Sequence, residues 1–208
     1  MSRFPLTARL LASALLAVLA LAAPRHAANA VAPPEPSAKP PRWELQFEVT
    51  HDLRLIRISG EDYWFMTYLV TNRTGEDQIF VPNAILATDA GDIIKDGEVP
   101  YDVTQQLLKL MKNPLLESKN QVIGQLKQGR ENARESLFVW KAGTLEDLRD
   151  VRVFIGGLSS DTQVVKNHVT GDDVVVRKHL AREYDCPGDP LAEPARAVRL
   201  RRQHWIMR

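Results

Sequence analysis

The sequence predicts a mainly β fold, a sandwich or barrel of antiparallel strands with one inserted helix, preceded by a signal peptide. Three observations support it. Short segments of alternating apolar and polar residues recur, with turn residues at intervals of about 8–12 positions. One stretch alone has the spacing of a long helix, which disfavours a doubly wound α/β fold. The 208 residues are 44% hydrophobic and 25% charged, as in soluble globular proteins, and a single cysteine excludes an intrachain disulfide scaffold.

The first thirty residues have the pattern of a secretory signal peptide. Two arginines precede an apolar run, Leu10 to Ala23, that is shorter than the roughly 20 residues needed to span a bilayer. Residues 28–30, Ala-Asn-Ala, have the small-x-small form of a cleavage site. We expect export to the periplasm or the exterior, with no stable transmembrane helix after processing. A retained anchor and cleavage after Ala22 are the alternatives.

The chain after the signal peptide divides into three parts. Residues 31–41 contain five prolines and are predicted to form an extended linker. Residues 42–189 are predicted to form the β domain, and residues 190–208 a basic C-terminal arm. Residues 31–190 carry a net charge of −6, whereas residues 191–208 hold five arginines and one glutamate. An acidic body with a basic arm is the clearest charge asymmetry of the sequence.

The strands follow from alternation with a period of two. The first runs from Trp43 to Leu55, and we expect a bulge or edge turn where the alternation breaks at Leu55-Ile56. The turn clusters around residues 59–62 and 72–77 bound the second strand. Strands are also predicted at 63–71, 78–81, 84–88, 93–94, 121–127, 136–140, 151–155, 162–166 and 174–184.

The helix is predicted near Asp102–Lys112. Asp102 is a suitable N-cap, apolar residues then recur at helical spacing, and Asn113-Pro114 ends the helix. A second, short helical turn is predicted at residues 144–148.

The second strand carries aromatic residues on both faces. Tyr63 and Phe65 are expected to be covered by the helix, because a strand between a second sheet and a helix is buried on both sides. The alternative is an exposed pair that binds carbohydrate or peptide. The expected core includes Trp64, Met66, Leu137 or Phe138, Val153 and Leu158.

One part of the sequence resembles a known class of domain. Residues 63–77, Tyr-Trp-Phe-Met-Thr-Tyr-Leu-Val-Thr-Asn-Arg-Thr-Gly-Glu-Asp, resemble the aromatic strand and following turn of secreted bacterial immunoglobulin-like domains. The order of the strand at 136–140 and the segment 151–159 is similar to that in uncharacterised exported proteins of planctomycete-type bacteria. The resemblance covers about residues 60–185 and implies an exported immunoglobulin-like β-sandwich, without the Cys-Trp-Cys pattern of antibody domains.

Motifs of catalysis are missing from the sequence. It has no GxSxG, HExxH or Walker loop, and Ser159-Ser160-Asp161 fits a strand exit better than a nucleophile elbow. Two groups of residues could supply metal ligands. His168, Asp172, Asp173 and His179 are better explained as a solvated turn, and Ile93-Ile94 interrupts any calcium loop formed by Asp89, Asp92 and Asp96. We therefore expect no cofactor. Cys186 is predicted to be an inert thiol, with pairing between chains as the alternative.

The basic arm is the candidate interaction site. Its candidate residues are Arg196, Arg199, Arg201, Arg202 and Trp205. If helical, the arm would rest on an anionic surface or clasp an acidic envelope protein; alternatively it packs its last apolar residues on the acidic body. Nucleic acid is disfavoured as a partner because the body is acidic and exported. The expected function is a non-catalytic binding or structural module of the envelope; a metal-dependent or hydrolase-accessory enzyme domain is the alternative.

Overall fold

The computed structural model describes residues 34–37, 40–186 and 198–208, which belong to one compact unit from Pro33 to Arg208. This unit is mainly β, as predicted. Its strands are β1 Gln46–Ile58, β2 Glu61–Thr71, β3 Gln78–Phe80, β4 Asn83–Thr88, β5 Ile93–Lys95, β6 Leu116–Glu117, β7 Gly124–Leu126, β8 Arg134–Lys141, β9 Asp150–Gly156, β10 Thr162–Lys166, β11 Asp173–Asp185 and β12 Arg199–Met207. The helices are α1 Tyr101–Met111 and α2 Lys119–Val122, with a 3-10 turn at Arg130–Asn132.

The strands form two main sheets. The first sheet has the order β1-β2-β8-β6, and the second has the order β5-β4-β9-β11-β12. The sixth strand of the second sheet, β10, pairs with the first residues of β11, on the same side of β11 as β9. Neighbouring strands are antiparallel except for β6 and β8, which are parallel. β3 and β7 form a separate antiparallel pair. The predicted antiparallel pairing is confirmed for all the described strand pairs except β6 with β8.

The main core lies where the inner faces of both sheets contribute side chains. Trp64 and Met66 of β2 and Trp140 of β8 come from the first sheet, while Val153 of β9 and Leu180 of β11 come from the second. The expected core residues Trp64, Met66, Leu137, Phe138, Val153 and Leu158 are all buried. Burial of this much apolar side-chain surface supplies the main driving force for folding.

A second cluster covers the outer face of the first sheet. Helix α1 places Val103 and Leu107 against Tyr63 and Phe65 of β2. Both aromatic residues are buried, so β2 is covered on both faces, as expected. The exposed carbohydrate-binding pair considered as the alternative is wrong.

Four local predictions need correction. β1 has its irregularities between Val49 and Arg54, earlier than the predicted break at residues 55–56. Helix α1 follows Pro100 and has no side-chain cap, so Asp102 lies inside its first turn. The predicted strand at 121–127 begins as helix α2, which a capping box at Ser118 starts, and only Gly124–Leu126 is strand. Residues 144–148 form a turn without helix.

The described part of the predicted basic arm is a strand. Residues 199–207 form β12 and pair with β11 in antiparallel register from Lys178 opposite Met207 to Asp185 opposite Arg199. The helical form of the arm is therefore wrong, and packing on the body is what the structure shows. Among the residues that the structure describes, no helix is long and apolar enough to cross a membrane.

Candidate functional site

The addition of β12 widens the second sheet and builds a groove on its outer face. Alternate residues of β9, β11 and β12 project from that face and enclose a volume of about 460 Å3. We call this surface the open face; its residues are Arg152, Phe154, Ala181, Glu183, Arg202, His204, Ile206 and Arg208. Its strands are rigid parts of the sheet, so the groove is preformed.

The open face presents arginines around one aromatic ring. Register places Arg152 and Arg202 on either side of Glu183, one strand apart on each side. The Arg208 guanidinium carbon lies 4.3 Å from the centre of the Phe154 ring, within the range of a cation–π contact. Partial burial lowers the pKa of Arg208, which remains charged at neutral pH because the reference value is so high. The ion pairs between described residues do not include these three arginines.

The carboxylates beside the groove are already engaged by one arginine of β12. Arg201 lies 2.7 Å from Asp150, 2.9 Å from Asp185 and 3.3 Å from Glu183. It occupies the extra position of a bulge, because Glu183 pairs with Arg202 and Tyr184 with Leu200. Arg201 therefore offsets only part of the negative charge of these three carboxylates, and no ion pair between described residues joins them to Arg152, Arg202 or Arg208.

Two histidines lie on the same surface. His179 hydrogen-bonds through Nδ1 to the Arg177 carbonyl at 2.9 Å, and its ring rests on Gly156, where a Cβ would come within 2.7 Å of Nε2. Burial lowers the pKa of His179, so its neutral form is favoured. The Nε2 atom of His204 lies 3.8 Å from the carboxylate of Glu183, and the two form an ion pair only when His204 is protonated.

The opposite side of β11 and β12 is fixed to the first sheet by a polar network. Asp52 of β1 accepts a hydrogen bond from the Tyr184 hydroxyl at 2.7 Å and pairs with Arg182 at 3.0 Å. Arg182 also donates to Tyr184 at 2.7 Å and contacts the Gln203 side chain on β12. Arg182 is buried, so this network holds a cation that has its partners in place. Burial raises the pKa of Tyr184.

Trp205 lies on the face of β12 that is turned toward the first sheet and not on the open face. It is half-buried against the main core, and the Lys178 amine lies 4.7 Å from the centre of its ring. Lys178 in turn pairs with Glu44 at 2.6 Å. Of the other candidate arm residues, Arg199 is exposed, Arg202 lies on the open face, and Arg196 lies outside the described residues.

Four of the candidate metal ligands have structural partners. Asp89, Asp92 and Asp96 accept hydrogen bonds from the backbone N–H groups of Arg149, Thr144 and Val139, at 3.3, 2.8 and 2.8 Å respectively. Asp173 pairs with Lys166 at 2.8 Å. Within the described ranges, no group of three or more His, Cys, Asp or Glu side chains is placed to hold a metal ion.

Other residues considered from the sequence also have local structural contacts. Ser160 accepts a hydrogen bond from the Trp43 N–H at 3.0 Å and so joins the N-terminal segment to the strand exit. Asn72 is buried, and its amide donates to the carbonyls of Glu76 and Leu126, so it fixes the turn after β2. Cys186 directly follows β11 and is buried, and its predicted inertness stays a prediction.

Sequence reasoning found Arg202 but missed Arg152 and Phe154. Both alternate with the buried Val151, Val153 and Ile155, so the period of two already placed them on the outward side of β9. The sequence alone did not show the register of β12 with β11, which places Arg202 of β12 on the same face as Arg152 of β9.

Comparison with protein-family models, with curated proteins and with solved structures finds no match.

Proposed function

We propose that the chain is an exported, non-catalytic binding module that holds an anionic partner in the cell envelope on its open face. One observation carries the proposal: Arg152, Arg202 and Arg208 surround a preformed groove, and no described carboxylate pairs with them. Arginine suits carboxylate and phosphate groups because its planar guanidinium donates two parallel hydrogen bonds.

The strand order supports an immunoglobulin-like sandwich as the scaffold. With β1, β2 and β8 as strands A, B and E, the other sheet has β5, β4, β9 and β11 as C′, C, F and G. β12 then follows strand G as an added edge strand. In this scaffold, function resides in surfaces attached to the sheets and not in the core.

The N-terminal sequence supports export. Its charged start, apolar run and Ala-Asn-Ala at 28–30 have the order of a cleaved signal peptide. Lipid phosphates and acidic envelope proteins are the anions that an exported module meets. The two sources share their chemistry with the open face but differ in size and arrangement.

The test measures binding of two anionic probes to the protein recovered from the periplasm of an expression host. The probes are poly-L-glutamate and phosphatidylglycerol vesicles, each titrated at low and high salt. We expect salt-dependent binding of poly-L-glutamate that is weakened about tenfold in the triple variant Arg152→Gln, Arg202→Gln, Arg208→Gln, since each exposed charge contact contributes about 0.2–1 kcal/mol. Binding of vesicles alone would instead identify lipid as the source of the anion.

A matched control separates the open face from general charge. The variant Arg73→Gln, Lys127→Gln, Arg130→Gln removes three exposed cations outside the open face. It should bind within about twofold of wild type. Equal losses in both triple variants, or no binding of either probe, would contradict the proposal.

A further inference from the structure

The last strand of the second sheet presents its backbone at an edge. Arg177 and Arg208 exchange two backbone hydrogen bonds, at 2.7 and 2.9 Å, which fixes the hydrogen-bonding phase between β11 and β12. Because N–H groups alternate in direction along a strand, the preceding residue, Met207, points its N–H away from β11. That N–H donates to the Pro34 carbonyl at 3.2 Å, so an extended segment of the linker already occupies this end of the edge.

The same phase continues along β12, and no strand of the described residues pairs with the next part of this edge. Gln203 and Trp205 stand opposite Arg182 and Leu180 and have the same orientation as Met207. Their N–H and C=O groups therefore point outward, and the backbone hydrogen bonds between described residues include none from them to a further strand. An edge of this kind is a template for one more strand.

The charges along β12 determine which strand it accepts. Arg199, Arg201 and Arg202 lie close together at one end of β12, and all three are exposed. Two copies paired edge to edge, either in parallel or in an antiparallel register centred on these arginines, would bring arginines from both chains together, which is unfavourable. A strand with acidic residues avoids this repulsion. Its alternate side chains would reach the open face beside Arg202.

We infer that the outer edge of β12, from Arg201 to Trp205, binds an extended acidic segment of a partner protein by strand addition. The inference rests on the proposed function for its charge preference, and it adds the partner class and the mode of binding. Backbone hydrogen bonds supply the contact with the edge, and the arginines of the open face select acidic side chains.

The test uses a fluorescein-labelled synthetic peptide of alternating Glu and Thr, eight residues long, and fluorescence anisotropy. The critical variant is Gln203→Pro, which removes one outward N–H and leaves the bonds to β11 intact. Its matched control is Gln203→Ala, which removes the same side-chain contact with Arg182 but keeps the N–H. We expect Gln203→Pro to bind the peptide about tenfold more weakly than Gln203→Ala.

A second measurement does not depend on the folding of the variant. Wild-type protein is titrated with two peptides that carry N-methyl groups on either the odd or the even residues. Strand addition uses one set of N–H groups, so one methylated peptide should bind about tenfold more weakly than the other. Equal binding of both methylated peptides would overturn strand addition.

The outcomes also separate this inference from the proposed function. If the peptide binds Gln203→Pro as well as Gln203→Ala, while the open-face triple variant loses binding, the open face binds anions without an added strand. If wild type binds the vesicles but neither the peptide nor poly-L-glutamate, the inference alone fails; if it binds none of the three, both fail. A peptide-free dimer that Gln203→Pro dissociates would show that a second copy occupies the edge, contrary to the inference.

Discussion

Replacement of Trp64 by alanine is expected to lower the free energy of unfolding by about 3–5 kcal/mol, the range of large-to-small changes at buried aromatic sites. Trp64 is fully buried in β2, directly between Leu55 of β1 and Trp140 of β8. Alanine would leave a cavity where the two sheets share their main core. The indole Nε1 has no hydrogen-bond partner among the described residues, so its removal relieves a desolvation cost and favours the lower end of the range.

The matched variant Trp64→Phe isolates the role of the ring. Phenylalanine keeps most of the apolar contact and removes the unpaired N–H, so we expect a change within about 1 kcal/mol. Urea unfolding followed by far-ultraviolet circular dichroism measures both variants, and an unchanged slope with urea confirms that the same transition is compared. A cost below about 1 kcal/mol for Trp64→Ala would place this side chain on an exposed face and refute the assignment of strand faces.

Three further predictions concern stability. Asp52→Ala should lower the free energy of unfolding by about 2 kcal/mol in urea, since it leaves buried Arg182 without its carboxylate but Asp52 itself is partly exposed; Asp52→Asn should cost less. Asn72→Ala should cost about 1–3 kcal/mol in the same assay, because it removes the buried hydrogen bond from the Asn72 amide to the Leu126 carbonyl; no loss would contradict this role. Burial raises the pKa of Tyr68 and Tyr184, so the unfolded chain loses these protons first and stability should fall as pH rises above about 10. Urea midpoints between pH 9 and 11 test this, and a smaller fall is expected when both tyrosines are replaced by phenylalanine.

The strand pattern was predictable because alternation reports burial directly. The strong period of two in β9, with Val151, Val153 and Ile155 inward, gave both its position and its inner face. In segments without such alternation, neither the position nor the buried face of the element could be predicted as well. The region at 119–126 combines a short helix and a short strand, and the capping box at Ser118 outweighs the weak strand pattern that follows.

The candidate site could be predicted only in part, for a physical reason. The basic residues of the last segment were visible as a charge asymmetry, but the form of that segment depends on its register with β11, which its charges alone do not specify. This pairing assigns Arg201 to three carboxylates and leaves Arg202 for the open face. Composition cannot distinguish two neighbouring arginines with such different surroundings.

The most direct test of the account locates the bound anion on the protein. Amide chemical shifts of the isotope-labelled protein are followed by nuclear magnetic resonance during titration with poly-L-glutamate. We expect the largest changes in amide chemical shift at Arg152–Phe154, Ala181–Glu183 and Arg202–Arg208, and we expect these changes to become smaller as salt is added. Largest shifts around helix α1, or shifts spread evenly over all exposed lysines and arginines, would contradict it.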